Sequence, residues 1–309
     1  MQERALGRSS ISVPPIGLGT VKLGRLAGLK YPAAQVPTAL PDDEHVLLLL
    51  REAAKLGVTL IDTAPAYGQS ERRLGELLYL VQPRQRWVLC SKVGEEFAAS
   101  GGEGGESGAG GEGGEGTSHY DFTPKAIVAS IERSLQRLRT DYLDLALLHF
   151  SSAVNDEVIL QKAEAYDILA MLKAQGKIRA IGASTSSLAG GIIAAQRCEV
   201  AMLTLNPSER RDLTAIVEAR TTGCGVLIKK ALGSGHVAAT PVPTNSATYI
   251  TAQSQSLSPS HPLFADPVQT ALRAILAEPS VTSVIIGTTN PKHLTQAVLI
   301  AEAVRGDAL

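Results

Sequence analysis

Three apolar runs of this chain each end in a polar residue that could do chemistry, and a tyrosine follows the first of them closely. Asp62 ends the run in LIDTAPAYG, Lys92 ends the run in WVLCSKVG, and His149 ends the run in LDLALLHF. Tyr67 lies five residues beyond Asp62. Taken singly, such residues are more typical of turns, solvated surface or ordinary packing. At the same end of adjacent strands, however, the four would form one reactive site.

The four side chains fit the reduction of a carbonyl. A tyrosine hydroxyl titrates near about pH 10, so Tyr67 holds a proton at neutral pH and can give it to an oxygen that gains negative charge. An ammonium at Lys92 stabilises the phenolate and brings the tyrosine pKa closer to neutrality. Asp62 would pair with Lys92, and His149 could donate a hydrogen bond that orients the carbonyl. None of the four donates hydride, which implies a nicotinamide cofactor.

Short apolar or β-branched runs alternate with helical patterns, and these elements must position the four residues. The predicted strands are Ile16–Thr20, Val58–Asp62, Trp87–Lys92, Leu143–Leu148, Ile178–Ala183, Val200–Leu205, Gly225–Lys229 and Val281–Ile286. The predicted helices are Asp43–Leu56, Ser70–Leu80, Pro124–Leu138, Asp156–Ala174, Leu188–Gln196, Arg211–Thr221, Pro267–Ala277 and Pro291–Val304.

Eight strands in strict alternation with eight helices favour an α/β fold of the (β/α)₈ TIM-barrel type, in a single domain over residues 1–309. The strands are apolar along their whole length, which is typical of a parallel sheet that is buried on both faces. A doubly wound open sheet is the alternative. Against it, no G-x-G-x-x-G follows an early strand, and the chain has no Walker A motif.

Composition and charge restrict the class of protein. The 309 residues carry 29 Lys and Arg against 30 Asp and Glu, a net charge of −1. This balance predicts neither nucleic acid nor an anionic membrane as the main partner. Three widely spaced cysteines form neither a disulfide framework nor a zinc motif, so no metal is expected. With a polar N-terminus and no long apolar run, a soluble cytoplasmic protein is expected.

One segment departs from globular composition. Residues 101–116 read GGEGGESGAGGEGGEG, which cannot bury enough apolar surface to offset the entropy lost on ordering. We predict a flexible insertion loop over residues 98–118, within the barrel rather than between domains, because the same element pattern continues on both sides.

The motifs around the four residues make the chain similar to the aldo-keto reductase family. The resemblance covers nearly the whole chain and is carried by PPIGLGT, GVTLIDTAPAYGQSERRLGELL, SKVG, SIERSLQRLRTDYLDLALLH, GKIRAIGAS and VIIGTTNPKHL. It implies a (β/α)₈ barrel that interconverts aldehydes or ketones with alcohols by hydride transfer from or to NAD(P)(H). It also implies that Asp62, Tyr67, Lys92 and His149 are the catalytic tetrad, with Tyr67 as general acid and base.

The resemblance also implies a cofactor site. Its residues would be Gly19, Thr20, Val21, Asp62, Ser184, Gly287, Thr288, Thr289 and His293. Three other positions, Thr185, Met202 and Leu205, depart from the side chains common in the family around the nicotinamide. An arginine that is common in the family at the adenosine end is replaced here, which removes a partner for the 2′-phosphate of NADP(H). NADP(H) is therefore expected from family prevalence alone, and NAD(H) is not excluded.

Two other functions stay open from the sequence. One is a cofactor-binding regulatory or auxiliary subunit with little turnover, which the altered nicotinamide positions favour and the intact tetrad opposes. The other is an unrelated barrel enzyme: a glycosidase would need a second carboxylate beside Asp62, whereas a Schiff-base aldolase could use Lys92. The expected partner is a small carbonyl or alcohol substrate. The sequence does not predict an oligomeric state.

Overall fold

The computed structural model describes residues 1–29, 32, 38–99, 116–239 and 266–306. The strands are β1 Arg4–Ala5, β2 Ser12–Val13, β3 Ile16–Gly19, β4 Leu60–Asp62, β5 Val88–Val93, β6 Glu95–Ala99, β7 Gly116–Tyr120, β8 Leu143–His149, β9 Ile178–Ser184, β10 Val200–Thr204, β11 Gly225–Lys229 and β12 Ser283–Gly287. The helices are α1 Val21–Gly24, α2 Asp43–Leu56, α3 Ser70–Leu77, α4 Pro124–Leu138, α5 Asp156–Gln161, α6 Glu164–Ala174, α7 Leu188–Arg197, α8 Leu213–Thr222, α9 His236–Ala239, α10 Pro267–Leu276 and α11 Pro291–Gly306.

Eight of the strands close into a barrel. Their order is β3-β4-β5-β8-β9-β10-β11-β12, and β12 pairs with β3, so the sheet has no edge. Every neighbouring pair in the barrel is parallel. The predicted (β/α)₈ barrel is therefore confirmed, and the open-sheet alternative is wrong because the first and last barrel strands are hydrogen-bonded to each other.

The helix boundaries follow local capping chemistry. The Asp42 side chain accepts a hydrogen bond from the backbone N–H of His45 at the start of α2, and Gly57 ends that helix in the left-handed conformation with φ of 72°. Thr123 caps α4 in the same way through the backbone N–H of Ala126. None of the helices in the described ranges combines the length and apolar character needed to cross a membrane.

The core has two layers, as a barrel sheathed in helices requires. One apolar cluster lies between the strands and the surrounding helices. A second fills the barrel interior, and the β1–β2 hairpin adds Leu6, Ile11 and Val13 to it. The hairpin lies against the start of β11, because a Cβ on Gly7 would be 2.0 Å from the backbone N of Gly225. The N-terminal end of the barrel is thus covered, which leaves the C-terminal rim as the place for a cleft.

Apart from the short helices α1 and α9 and shifts of a few residues at element ends, the structure differs from the sequence prediction in three places. The helix predicted over Asp156–Ala174 is two helices, since Lys162 between α5 and α6 is extended and neither glycine nor proline marks the break. The β1–β2 hairpin was not predicted. The loop predicted over residues 98–118 has strand at both ends, because β6 and β7 pair antiparallel from Glu95↔Tyr120 to Ala99↔Gly116. Residues 100–115 of that predicted loop lie outside the described residues.

Candidate active site

A buried ion pair lies at the base of the C-terminal cleft. Lys92, near the end of β5, is fully buried, and its Nζ donates to Asp62 Oδ1 at 2.5 Å and to the carbonyl oxygen of Thr63 at 2.9 Å. The two side chains meet because β4 and β5 are neighbours in the barrel. Burial is the largest influence on Lys92 and opposes its charge, but the Asp62 carboxylate, with smaller contributions from Tyr67 and Cys90, raises the pKa of Lys92 above its usual value.

Tyr67 lies directly above this pair. It ends a 3₁₀ turn, Pro65–Tyr67, that follows β4, and the Nζ of Lys92 is 4.6 Å from the centre of its ring. Gly68 continues the turn with φ of 60°, and a Cβ there would be 2.2 Å from the carbonyl oxygen of Gly24. Burial raises the pKa of Tyr67 more than the Lys92 ammonium lowers it. The expected shift of the Tyr67 pKa toward neutrality is therefore wrong, and the phenol is protonated at physiological pH.

His149 completes the group at the end of β8. Its ring meets that of Tyr67 edge to face, with centroids 6.2 Å apart and an angle of 86°. Burial, followed by the positive charges of Lys92, Lys229 and Arg25, holds the pKa of His149 well below its usual value. The imidazole is therefore neutral at physiological pH. The structure thus brings all four predicted catalytic side chains to one rim.

A carboxylate that the sequence analysis did not assign to the site also reaches His149. Glu95, in β6, places Oε2 at 3.1 Å from His149 Nδ1. The N–H direction is out of line for a hydrogen bond, so this is an electrostatic contact. Glu95 Oε1 accepts from Ser118 Oγ at 2.6 Å and from the Tyr120 hydroxyl at 3.2 Å. The residue types of GEEFAAS have no marked strand propensity and the partner strand begins only after residue 115, so the sequence offered no local signal for this pair.

The predicted cofactor residues line the same cleft, whose volume is about 990 Å³ and lies at the upper end for a single ligand site. They are Gly19, Thr20, Val21, Asp62, Ser184, Gly287, Thr288, Thr289 and His293. In the described ranges, no cluster of His, Cys, Asp or Glu is arranged to hold a metal ion.

Two glycines shape the rim between the tetrad and α11. Gly19 and Gly287 are paired at the ends of β3 and β12, and a Cβ on Gly19 would lie 3.5 Å from the Cα of Gly287. This part of the rim therefore exposes backbone atoms to the cleft in place of side chains. The neighbouring Thr20 hydroxyl is already engaged, since it donates to the carbonyl oxygen of Asp62 at 2.8 Å and accepts from Ser70 Oγ at 2.7 Å. Thr20 thus joins β3 to β4, and its hydroxyl is not available to a ligand.

The start of α11 forms the far end of the cleft. Thr288 Oγ1 accepts from the backbone N–H of Asn290 at 3.0 Å and lies 3.3 Å from Nδ1 of His293. The backbone N–H of Lys292 is capped by Asn290 Oδ1 at 3.0 Å. A helix N-terminus with a cationic side chain beside it is suited to an anion.

Lys229 is a further cleft residue, at the end of β11. Its Nζ donates to Ser184 Oγ at 2.9 Å and to the carbonyl oxygen of Thr185 at 2.6 Å. Met202 lines the cleft beside it, whereas Leu205 is buried in the outer apolar layer and does not. Of the three positions that depart from the family pattern, Thr185 and Met202 therefore lie on the cleft and Leu205 does not.

The partly buried Lys229 amine predicts a pH-dependent stability. Burial, then the charge of Lys230, lowers the pKa of Lys229 to about 7, against about 10.4 in an unfolded chain. The unfolded state binds the proton more readily, so native stability rises with pH from about 7 to about 10. Lys229→Met removes this contribution. We expect its melting temperature, relative to wild type, to increase steadily as the pH is lowered from 10 to 6. The control is Lys55→Met, since 76% of the Lys55 side chain is exposed. A Lys229→Met difference that does not change with pH would contradict the lowered pKa of this amine.

Comparison with known proteins gives a consistent result. The family model described as the aldo/keto reductase family matches residues 15–305. An L-galactose dehydrogenase of Arabidopsis thaliana is 30% identical over 185 residues, covering 58% of this chain and 47% of that protein. A NADH-specific methylglyoxal reductase of Escherichia coli is 31% identical over 186 residues, which cover 60% of this chain and 52% of that protein. The alignments thus span about half the length of these curated relatives.

The solved structures extend the similarity over the whole barrel. A crystal structure described as an aldo-keto reductase of Pseudomonas aeruginosa is 36% identical, with a TM-score of 0.74, covering 98% of this chain and 94% of that one. The family model matches nearly the full length of the chain, and the four predicted catalytic residues lie together on one rim of the barrel. This chain belongs to the aldo/keto reductase family.

Proposed function

We propose that this protein is an NAD(P)(H)-dependent oxidoreductase that interconverts an aldehyde or ketone and the corresponding alcohol, with Tyr67 as general acid and base. The observation that carries the proposal is the stack of Tyr67 over the Lys92–Asp62 ion pair. It places a protonated phenol next to a permanent positive charge, and that charge stabilises the phenolate formed when the proton leaves.

Each residue of the tetrad has a separate task in this proposal. Tyr67 gives its proton to the substrate oxygen in reduction and takes it back in oxidation. Lys92 stabilises the phenolate, and Asp62 keeps Lys92 charged and in place. His149 orients the substrate oxygen at the edge of the Tyr67 ring. A bound nicotinamide would supply or accept the hydride.

The described residues fit such a cofactor along the length of the cleft. The paired glycines of β3 and β12 leave backbone at the rim, where a flat or charged group can approach closely. At one end, Ser184 and Lys229 provide polar hydrogens beside the tetrad. At the other end, the start of α11 and Lys292 suit the adenosine phosphate, so NADP(H) is our expected cofactor. The Escherichia coli relative is described as NADH-specific, and NAD(H) is the alternative.

The substrate class is a small carbonyl or alcohol. Relatives are named for L-galactose, D-threo-aldose and methylglyoxal, all of which carry a second oxygen next to the reacting carbon. The hydroxyls of Tyr120, Ser151 and Ser186 line this cleft and could bind such oxygens. The cytoplasm is the expected location.

A fluorescence titration with NADPH and with NADH tests the proposal. We expect saturable binding of at least one of them, because the glycine rim and the α11 end lie in one continuous cleft. Lys292→Met should weaken binding of NADPH more than that of NADH, since only NADPH carries the 2′-phosphate that this cation would contact. Correctly folded protein that binds neither nucleotide would overturn the proposal and favour a function without the cofactor.

A further inference from the structure

One wall of the cleft is lined by hydroxyl groups that are hydrogen-bonded into a connected set. Two of them lie on β7, one lies just beyond β8 and one just beyond β9. We call them the hydroxyl wall, and its residues are Ser118, Tyr120, Ser151 and Ser186. The wall borders the tetrad, because the Glu95 carboxylate at one end of the set has Oε2 at 3.1 Å from His149 Nδ1.

Glu95 fixes the direction of the hydrogen bonds at this end. Its Oε1 accepts from Ser118 Oγ at 2.6 Å and from the Tyr120 hydroxyl at 3.2 Å. An ionised carboxylate only accepts, so both of these protons point toward Glu95. Ser151 Oγ lies 2.7 Å from the Tyr120 oxygen and must then be the donor in that pair. The hydroxyl protons of all three residues are therefore used within the protein.

Asp156 has the same effect at the other end of the wall. The Ser186 hydroxyl has two acceptors, Asp156 Oδ2 at 3.2 Å and the carbonyl oxygen of Ser151 at 3.1 Å. Burial raises the pKa of Asp156, but hydrogen bonds from Ser187 and Ser186 outweigh it and hold that pKa below its usual value. Neither acceptor has a proton to give, so the Ser186 proton is also donated to the protein.

Oxygen lone pairs are what the wall leaves for a ligand. A hydroxyl oxygen has two acceptor lone pairs. Tyr120 uses one for Ser151, and Ser151 uses one for the backbone N–H of Ala153 at 3.2 Å. Within the described residues, no donor reaches Ser118 Oγ or Ser186 Oγ. Each oxygen of the wall can therefore accept a further hydrogen bond.

We propose that the hydroxyl wall is an acceptor surface for substrate hydroxyl protons, and that the substrate is a neutral polyhydroxylated aldehyde or the corresponding alcohol. The substrate class rests on the proposed function, whereas the acceptor surface does not. A surface of lone pairs with the Glu95 and Asp156 carboxylates behind it repels a carboxylate or phosphate group, which can only accept. It matches a row of alcohol groups, each of which has a proton to donate.

Arg25 is the feature that opposes this proposal, because a cation in the cleft attracts anions. Its Nε donates to the carbonyl oxygen of Ala27 at 2.8 Å, and its Nη1 donates to that of Ala66 at 3.0 Å. The guanidinium lies 3.8 Å from the centre of the Phe97 ring. Burial lowers the pKa of Arg25, and the nearby charge of Glu95 raises it in part. Arg25 thus holds the hairpin to the Tyr67 turn, and Glu95 offsets its charge.

Saturation-transfer difference NMR with an equimolar mixture of xylitol and pentanol tests the wall without turnover. The two probes have carbon chains of the same length, but only xylitol has a hydroxyl on every carbon. We expect saturation transfer to xylitol, with and without nicotinamide nucleotide, and a weaker signal in Ser186→Ala and in Tyr120→Phe. Transfer to pentanol alone, or a xylitol signal that neither variant changes, would overturn the proposal.

The ratio of kcat/KM for glyceraldehyde to that for propanal tests the substrate class. Propanal lacks the hydroxyl protons, so we expect Ser186→Ala and Tyr120→Phe each to lower the ratio by about 3–10-fold, whereas damage to the fold would lower both rates alike. Glyoxylate reports on the opposite preference. If it is reduced faster than glyceraldehyde, Arg25 governs the choice of substrate and the proposal is wrong.

Ser187→Ala is the matched control. The Ser187 hydroxyl donates to Asp156 Oδ1 at 2.6 Å and accepts from the backbone N–H of Gly190 at 2.9 Å, where it caps α7. Ser187 is next to Ser186 and shares its carboxylate, but it does not line the cleft. We expect a lower melting temperature with the wild-type ratio of the two rates and the wild-type xylitol signal.

The outcomes separate this proposal from the proposed function. A protein that binds xylitol through Ser186 and Tyr120 but binds no nicotinamide nucleotide would keep the hydroxyl wall and reject the oxidoreductase. A nucleotide-dependent reductase that prefers propanal to glyceraldehyde would keep the oxidoreductase and reject the hydroxyl wall.

Discussion

Tyr67→Phe is expected to lower kcat for a good carbonyl substrate by about 10²–10⁴-fold, the usual contribution of a positioned general acid. The substitution removes one hydroxyl and keeps the ring, which lies over Lys92 and edge to face with His149. The packing of the cleft should therefore be unchanged, and cofactor affinity should stay close to that of wild type. The measurement is kcat and cofactor Kd for both proteins.

The pH profile provides a second measurement of the same residue. Because burial raises the pKa of Tyr67, the phenol is protonated across the physiological range. Reduction, which needs the acid, should be insensitive to pH there. Oxidation, which needs the phenolate, should become faster as the pH rises into the alkaline range. The control is Tyr142→Phe, whose ring packs under Arg84 just before β8, at the opposite end of the barrel from the cleft. Wild-type turnover in Tyr67→Phe would refute the assigned role.

Asp62→Ala is expected to destabilise the fold by about 3–5 kcal/mol, because it leaves the fully buried ammonium of Lys92 without its counter-charge. The remaining contact to the Thr63 carbonyl oxygen cannot replace a carboxylate at 2.5 Å. The free energy of unfolding from urea denaturation measures the effect. The variant should also be inactive, because Lys92 would lose its charge or its position below Tyr67.

A double variant separates charge from packing in this prediction. In Asp62→Leu/Lys92→Met both partners become apolar, and most of the lost stability should return although activity does not. Lys55→Met is the control, since Lys55 pairs with Glu52 while 76% of its side chain is exposed, and such pairs contribute only about 0–1 kcal/mol. If Asp62→Ala unfolds at the wild-type urea concentration, the buried pair does not have the energetic role assigned to it.

The barrel and the tetrad could be predicted from the sequence because both depend on local patterns. Apolar runs, capping residues such as Asp42 and Thr123, and the glycine after α2 define the elements within a few residues. Once strands are parallel and neighbouring, the polar residue at each C-terminal end must lie on the same rim. Asp62, Lys92 and His149 follow from that rule, and the short turn from Asp62 carries Tyr67 to them.

The place of Glu95, the lowered pKa of Lys229 and the direction of the tyrosine pKa shift depended on the tertiary structure. The strand character of β6 comes from its pairing with β7, about twenty residues later, and no local propensity in GEEFAAS indicates that pairing. Lys229 is a cleft residue because β11 aims it at Ser184, and its lowered pKa comes from burial by other elements. Tyr67 keeps its proton because desolvation outweighs a charge 4.6 Å from its ring. The sequence by itself thus determined that the four tetrad groups meet on one rim, since the residues at which strands end are set by local patterns. Only the tertiary structure decided how those groups are charged and oriented, since desolvation and long-range contacts are properties of the assembled barrel.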